Sequence, residues 1–143
     1  MLVYDLVSRQ KHNSKIAIKM GSYQITYREL FELSEKLGKK INALIGENQR
    51  NIGIYLPNSI DYAVAYCAVQ SIKKVAVPVS VLTKSPEIQS TFDYCEVDII
   101  ITNSSNIEAL KASLINNKHK KILYNISNDQ ILILNSNNSF VVK

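Results

Sequence analysis

Apolar and polar positions change period several times along the chain, and each change marks an element. Leu2, Val3, Leu6 and Val7 form a short helical stripe between Leu2 and Arg9. From Lys15 to Met20 the residues Ile16, Ile18 and Met20 alternate with Lys15, Ala17 and Lys19, the period of a half-buried strand. Gly21-Ser22 turns the chain and Tyr23 to Thr26 alternates again, so the pattern predicts a hairpin. Thr26, with Glu29 three residues on, predicts a helix opened by a capping box. That helix places Tyr27, Leu30, Phe31, Ser34, Leu37, Ile41, Leu44 and Ile45 on one face. Arg28, Glu29, Glu32, Glu35, Lys36, Lys39 and Lys40 lie on the other.

Asn51 to Leu56 reads as a strand stopped by Pro57, and Ser59 as the cap of a helix over Ile60 to Lys73. This helix differs in kind. Ile60, Tyr62, Ala63, Val64, Ala65, Tyr66, Cys67, Ala68 and Val69 leave almost no polar face, and a helix apolar all round is expected to be buried all round. Val75 to Val79 is the next strand. Ser85-Pro86-Glu87 reads as a cap, a proline at the first helical position and an acid at the positive end of the dipole, for a helix to about Tyr94. Val97 to Thr102 is nearly continuous in β-branched residues, the pattern of a central parallel strand covered on both faces. Ile107, Leu110 and Leu114 stripe a further helix. Lys121 to Ile126, Gln130 to Leu134 and Ser139 to Val142 read as strands, the last turned back by Asn135-Ser136-Asn137-Asn138.

From Asn51 onward strands and helices alternate. Alternation of this kind predicts an α/β fold: a three-layer, mainly parallel sheet with flanking helices, preceded here by an N-terminal helix and a β-hairpin. The 143 residues are the length of one domain, and 46% hydrophobic with 20% charged residues is ordinary globular composition. No apolar run approaches the roughly 18 residues that span a bilayer. Met1 to Gln10, with Asp5 in its middle and no basic start, does not read as a signal peptide. Cys67 and Cys95 lack paired spacing and read as reduced thiols in a cytoplasmic protein.

The net charge is +5. Lysines occur as the pairs Lys39-Lys40, Lys73-Lys74 and Lys120-Lys121, which read as solvated helix ends. With only Arg9, Arg28 and Arg50 as arginines, charge alone supports a nucleic-acid binder, and no nucleic-acid partner is expected.

In open α/β sheets ligands bind beyond the carboxyl ends of the strands. Those ends carry Pro57-Asn58-Ser59, Ser80 to Ser85, and Asn103-Ser104-Ser105-Asn106. None is a Gly-rich phosphate loop, and the chain has four glycines in all. Helix starts at Ser59, Ser85 and Ser104 read as plain caps before they read as anion sites. His12 and His119 have no Cys, Asp or Glu at metal-ligand spacing. Asp61, Glu87, Asp93, Glu96 and Asp98 read as single surface carboxylates. No catalytic, cofactor-binding or metal-binding residue is expected in this chain.

Four segments nevertheless resemble a known family. Ile25-Thr26-Tyr27-Arg28-Glu29-Leu30 resembles the hydrophobic-Thr-Tyr-x-Glu-Leu signature near the start of the AMP-forming adenylate synthetases. That superfamily holds acyl- and aryl-CoA synthetases, luciferase and nonribosomal-peptide adenylation domains. Ile52-Gly53-Ile54-Tyr55-Leu56-Pro57-Asn58-Ser59 resembles its V-x-I-x-L-P-N-S strand and helix start. Val75-Ala76-Val77-Pro78-Val79 resembles its G-A-V-V-V-P-I strand, and Asp98-Ile99-Ile100-Ile101-Thr102 its hydrophobic-I-I-T strand. Order and spacing agree from about Leu2 to Lys121. One departure is Lys73, which stands where the family has a glycine before the strand.

The resemblance implies that residues 1–143 are an N-terminal subdomain fragment of an ATP-dependent, carboxylic-acid-activating ligase. The phosphate loop, the nucleotide-binding residues and the C-terminal catalytic lysine of these enzymes have no counterpart here, so the isolated chain is expected to be inactive. ATP and Mg, and CoA or a carrier protein as thiol acceptor, belong to the intact enzyme. The alternative is a stand-alone, non-catalytic α/β binding or scaffold module. The apolar helix separates the two, because Tyr62, Tyr66 and Val69 fall on one side at i, i+4, i+7 while Ile60, Ala63, Val64, Cys67 and Ala68 cover another. If the second set packs on the sheet, the first leaves an apolar face expected to bind the remainder of the enzyme or a second copy.

Overall fold

The computed structural model describes residues 3–115 and 121–143. Leu2, His119 and Lys120, which the pattern had placed in elements or surroundings, lie outside the described residues. The chain divides into two compact units. One runs to Asn48 and resumes with Asn58–Val75; the other joins Gln49–Pro57 to Ala76–Lys143.

The first unit holds α1 (Val3–Ser8), the hairpin of β1 (Ile16–Met20) and β2 (Tyr23–Thr26), α2 (Tyr27–Leu44) and α3 (Ile60–Ser71). The hairpin pairs Met20 with Tyr23 and Lys19 with Gln24 across Gly21, whose φ of 60° makes the turn. The capping box forms as expected: Glu29 N donates to Thr26 Oγ1 at 3.1 Å and Thr26 N to the Glu29 carboxylate at 2.7 Å. Leu30, Ser34, Leu37, Gly38 and Ile41 form the buried face of α2. α2 packs on α3 at Gly38, where an added Cβ would overlap Ser71 Oγ and lie 3.0 Å from the Ala68 carbonyl. Glycine is what lets the two helices meet so closely.

α3 is capped by Ser59, whose hydroxyl accepts from Tyr62 N at 3.1 Å. It ends two residues before the expected Lys73. Lys73 stands just past the end with φ 58°. Its N–H donates to the Gln70 carbonyl and Lys74 N–H to the Val69 carbonyl, which completes a Schellman motif on a lysine.

The second unit is built on a six-stranded sheet, in the order β4-β3-β5-β6-β7-β8. The strands are β3 (Asn51–Ile54), β4 (Val75–Pro78), β5 (Ile99–Thr102), β6 (Ile122–Asn125), β7 (Gln130–Leu134) and β8 (Phe140–Val142). β5 pairs in parallel with β3 and β6, and all four of its residues are buried, as its apolar run requires. Past β6 the sheet turns antiparallel through two short hairpins. Pro78 sits in β4, an edge strand of the sheet, where its missing N–H is tolerated. Two helices belong to this unit, α4 (Ser85–Tyr94) and α5 (Ile107–Leu114), and they pack on each other. Phe92, Val97, Ile100, Leu110, Leu114, Leu123 and Leu132 share one buried cluster.

Three expectations are corrected here. Ser85 does not cap α4: it is the first helical residue, and Lys84 occupies the cap position without a side-chain cap hydrogen bond. Ser104 does not cap α5 either. The helix starts at Ile107, and Asn103 Oδ1 accepts from Asn106 N at 3.0 Å. Lys121 is not solvated. It is 1% exposed, its Nζ lies 3.0 Å from the Asp93 carboxylate, and it donates to the Val97 carbonyl at 2.5 Å. The cation leads into β6 inside the core, where only a carboxylate and a carbonyl together make its burial tolerable. Asp93, read as a surface charge, is its partner.

Candidate functional site

The carboxyl ends of the parallel strands are where a ligand would sit, and in the second unit they are closed by their own hydrogen bonds. Thr102 ends β5 with its hydroxyl donating to the Tyr55 carbonyl at 3.0 Å, a fully buried bond. The Tyr55 hydroxyl reaches the Val81 carbonyl at 3.4 Å, and burial pushes this phenol above its usual range. Beyond β5 and β6, Asn125 Nδ2 donates to Ser104 Oγ at 3.1 Å, Ser127 N donates to Asn125 Oδ1 at 3.0 Å, and Ser104 N donates to Ser127 Oγ at 3.1 Å. Tyr124 donates its hydroxyl to the Asp129 carboxylate, and burial, then that carboxylate, raise the phenol well above its usual range.

This cluster of amides and hydroxyls was not singled out from sequence beyond Asn103 to Asn106. The signal was present as Asn and Ser at two successive strand ends, but their convergence depends on β5 and β6 being neighbours. Chemically the cluster supplies neutral donors and acceptors that satisfy one another. Among the described residues no group of three or more His, Cys, Asp and Glu converges on one point.

In the first unit, α3 carries the face expected to meet a partner. Tyr62 and Tyr66 are half-buried. Val69 is 0% exposed and drops out of that face. The fully covered residues of the helix are Val64, Ala65, Ala68 and Val69, so the helix is not buried evenly all round. The split of its residues into a covered and an outward set is therefore displaced from the one inferred from spacing.

Cys67, also half-buried, has its thiol pushed up by burial, against the pull of the Ser34 hydroxyl. That hydroxyl is fully buried and has no hydrogen-bond partner among the described residues. A thiol held in its neutral form is a poor nucleophile. Tyr4 donates to Glu35 at 2.6 Å in the same unit, and burial, the Glu35 carboxylate and Cys67 hold its phenol well above the ordinary range.

The chain matches the model of a family described as AMP-binding enzyme over residues 7–140. Its fold is similar to that of an anthranilate CoA ligase solved with anthranoyl-AMP, at 18% identity and a TM-score of 0.70 over 80% of this chain and 23% of that one. It is similar to coronafacic acid ligase from Pectobacterium brasiliense, at 17% identity and 0.73 over 80% of this chain and 23% of that one. It is also similar to a luciferase-like enzyme from the mealworm Zophobas morio, at 13% identity and 0.76 over 86% of this chain and 30% of that one. No curated protein matches it by sequence. The chain spans about a quarter of the length of the first two of these structures. The four motifs in register, the parallel core around β5 and a family match over nearly all the residues agree, and the chain belongs to the family of AMP-binding enzymes.

Proposed function

We propose that these residues are the N-terminal part of an ATP-dependent ligase that activates a carboxylic acid as its acyl-adenylate. The intact reaction joins the carboxylate to the α-phosphoryl group of ATP, expels pyrophosphate, and then passes the acyl group to a thiol of CoA or a carrier protein with release of AMP. The observation that carries this reading is the family match over residues 7–140, in a chain that spans about a quarter of the enzymes it resembles. The closed strand ends support assigning ATP, Mg and the catalytic lysine to the remainder of such an enzyme. The contribution of this chain is then a scaffold, with the half-exposed sides of Tyr62 and Tyr66 offered to that remainder. Two free cysteines, one with its thiol held neutral, suit a reducing cytoplasm.

The test is ATP–pyrophosphate exchange on the purified chain with a panel of fatty, aryl and amino acids, beside a thermal melt with and without Mg-ATP. Exchange at background and an unmoved melting temperature are expected. A ligand at a hundred times its Kd would add about 2.7 kcal/mol of stability, which a domain of this size shows clearly. Exchange above background would place the adenylating machinery in this chain and overturn the reading.

A further inference from the structure

Where α2 packs on α3, one polar group is left without a partner. Gly38 on α2 lies against Ala68 and Ser71 on α3. Ser34 stands about one turn before Gly38, and Cys67 about one turn before Ser71, so the same seam brings Ser34 and Cys67 side by side. Ser34 is 0% exposed, and its hydroxyl has no hydrogen-bond partner among the described residues. Ser71, the other serine of the seam, shows the ordinary arrangement, its Oγ donating to the Ala68 carbonyl at 2.6 Å. A buried hydroxyl without such a bond is an exception that calls for a cause.

Cys67 is the group that the Ser34 hydroxyl approaches. It is a free, half-buried thiol, and the hydroxyl acts on it in the direction that favours the thiolate. A thiol is a weak donor and a weak acceptor, so it leaves the capacity of the hydroxyl unused. An oxygen carried on the Cys67 sulfur changes this. It accepts from the Ser34 hydroxyl, and its own proton can be given back to Ser34 Oγ. Rotation about the Cβ–Sγ bond swings that oxygen, and the half-exposed sulfur leaves a small oxidant a way in.

We propose that Cys67 is an oxidation site for a hydroperoxide and that Ser34 holds the resulting sulfenic acid. In the step, the Cys67 thiolate attacks the terminal peroxide oxygen. The S–O bond forms and the O–O bond breaks. Sulfur gives up two electrons, the peroxide is reduced to water or an alcohol, and the leaving oxyanion takes the proton that the thiol released. Burial keeps the thiol neutral, so formation is slow and the site is unlike that of a fast peroxide scavenger. What the pair supplies is retention. A sulfenic acid is otherwise lost by condensing with a second thiol or by further oxidation, and a half-covered, hydrogen-bonded one is shielded from both. The proposal does not rest on the acid-activating reading.

The experiment exposes the full chain to hydrogen peroxide at neutral pH, removes the peroxide with catalase, and adds dimedone after increasing delays. Peptide mass spectrometry then reads the label at each cysteine. Cys95, the other half-buried free thiol, is the reference within the same molecule and needs no variant. The sulfenic acid at Cys67 is expected to outlast that at Cys95. Ser34→Ala should shorten its lifetime about fivefold, the worth of one hydrogen bond. The reduced Ser34→Ala protein should melt no lower than the wild type, because the hydroxyl removed has no partner to lose. No label at Cys67, a lifetime no longer than that at Cys95, or direct passage to a sulfinic acid or a disulfide would overturn the proposal. An unchanged lifetime in Ser34→Ala would also overturn it, as would a clear loss of stability in that variant when reduced, which would show the hydroxyl to be satisfied already.

Discussion

Each compact unit contains a glycine pressed against its neighbours, a helix closed by a left-handed residue other than glycine, and a buried tyrosine donating to a carboxylate. In the first unit these are Gly38, Lys73 and Tyr4 with Glu35; in the second they are Gly53, Glu96 and Tyr124 with Asp129. The surroundings differ. Gly53 lies in β3 against Phe92, Ile100 and Val97, members of one continuous apolar cluster. Gly38 lies in a helix, against a serine hydroxyl and a carbonyl. Both units leave large apolar side chains exposed, Tyr23 in the first and Leu82 and Tyr94 in the second, so the contrast lies in what packs beside each device. The comparison teaches that one local device has different energetic weight according to what fills the space beside it.

The largest effect expected is at the glycines. In Gly53→Ala the new Cβ would lie 2.7 Å from Phe92 Cε1 and 2.9 Å from Ile100 Cγ1, and neither fully buried side chain has room to retreat. A loss of about 2–3 kcal/mol is expected from overpacking. Gly38→Ala also overlaps its neighbour, but Ala gains about 1 kcal/mol of helix propensity over Gly, so the net loss should be about 1 kcal/mol. Urea denaturation of the two variants checks the order. A larger loss at Gly38 would show that the helix pair is the more tightly packed of the two sites.

Next in size are the helix ends. Glu96 (φ 53°) repeats the Lys73 motif: its N–H donates to the Asp93 carbonyl, and Val97 N–H to the Phe92 carbonyl at 2.8 Å. A left-handed residue with a Cβ is strained by about 1 kcal/mol, and glycine removes that strain at some entropic cost. Lys73→Gly and Glu96→Gly should each raise stability by up to about 1 kcal/mol, read from thermal melts. Because the motif is the same, the two gains should be alike. A loss in either variant would mean that the side chain holds contacts outweighing the strain.

The smallest effect at neutral pH separates the tyrosines. Both phenols are raised by burial first and by their carboxylate second, so the folded state favours the neutral form. Their contribution is complete below the unfolded value of about 10 and is lost progressively as pH rises through the folded values. Stability of the wild type should therefore fall above pH ~10, and Tyr4→Phe or Tyr124→Phe should each flatten that fall. Denaturant midpoints measured from neutral to alkaline pH check this. Unchanged slopes in both variants would remove the tyrosines as its cause.

The sequence by itself determined what a few neighbouring residues decide. The capping box at Thr26 and Glu29, the Ser59 cap, the turn at Gly21 and the unusual helix end at Lys73 rest on bonds spanning three to five residues, and each formed where its motif stood. The run Ile99–Thr102 announced a strand covered on both sides because only such a strand needs four apolar or β-branched residues in a row. The family was legible for the same reason, since its motifs are these turns, caps and strands.

Only the tertiary structure decided how side chains far apart in sequence meet. Lys121 is buried because Val97 and Asp93, 24 and 28 residues earlier, supply its partners. The Thr102 hydroxyl closes the strand ends because Tyr55, 47 residues away, lies beside it. Ser85 and Ser104 looked like caps from their neighbours, yet the chain enters those helices by another path. Helical spacing placed Val69 with Tyr62 and Tyr66, but exposure depends on everything that packs against a helix, and spacing reports only the helix itself.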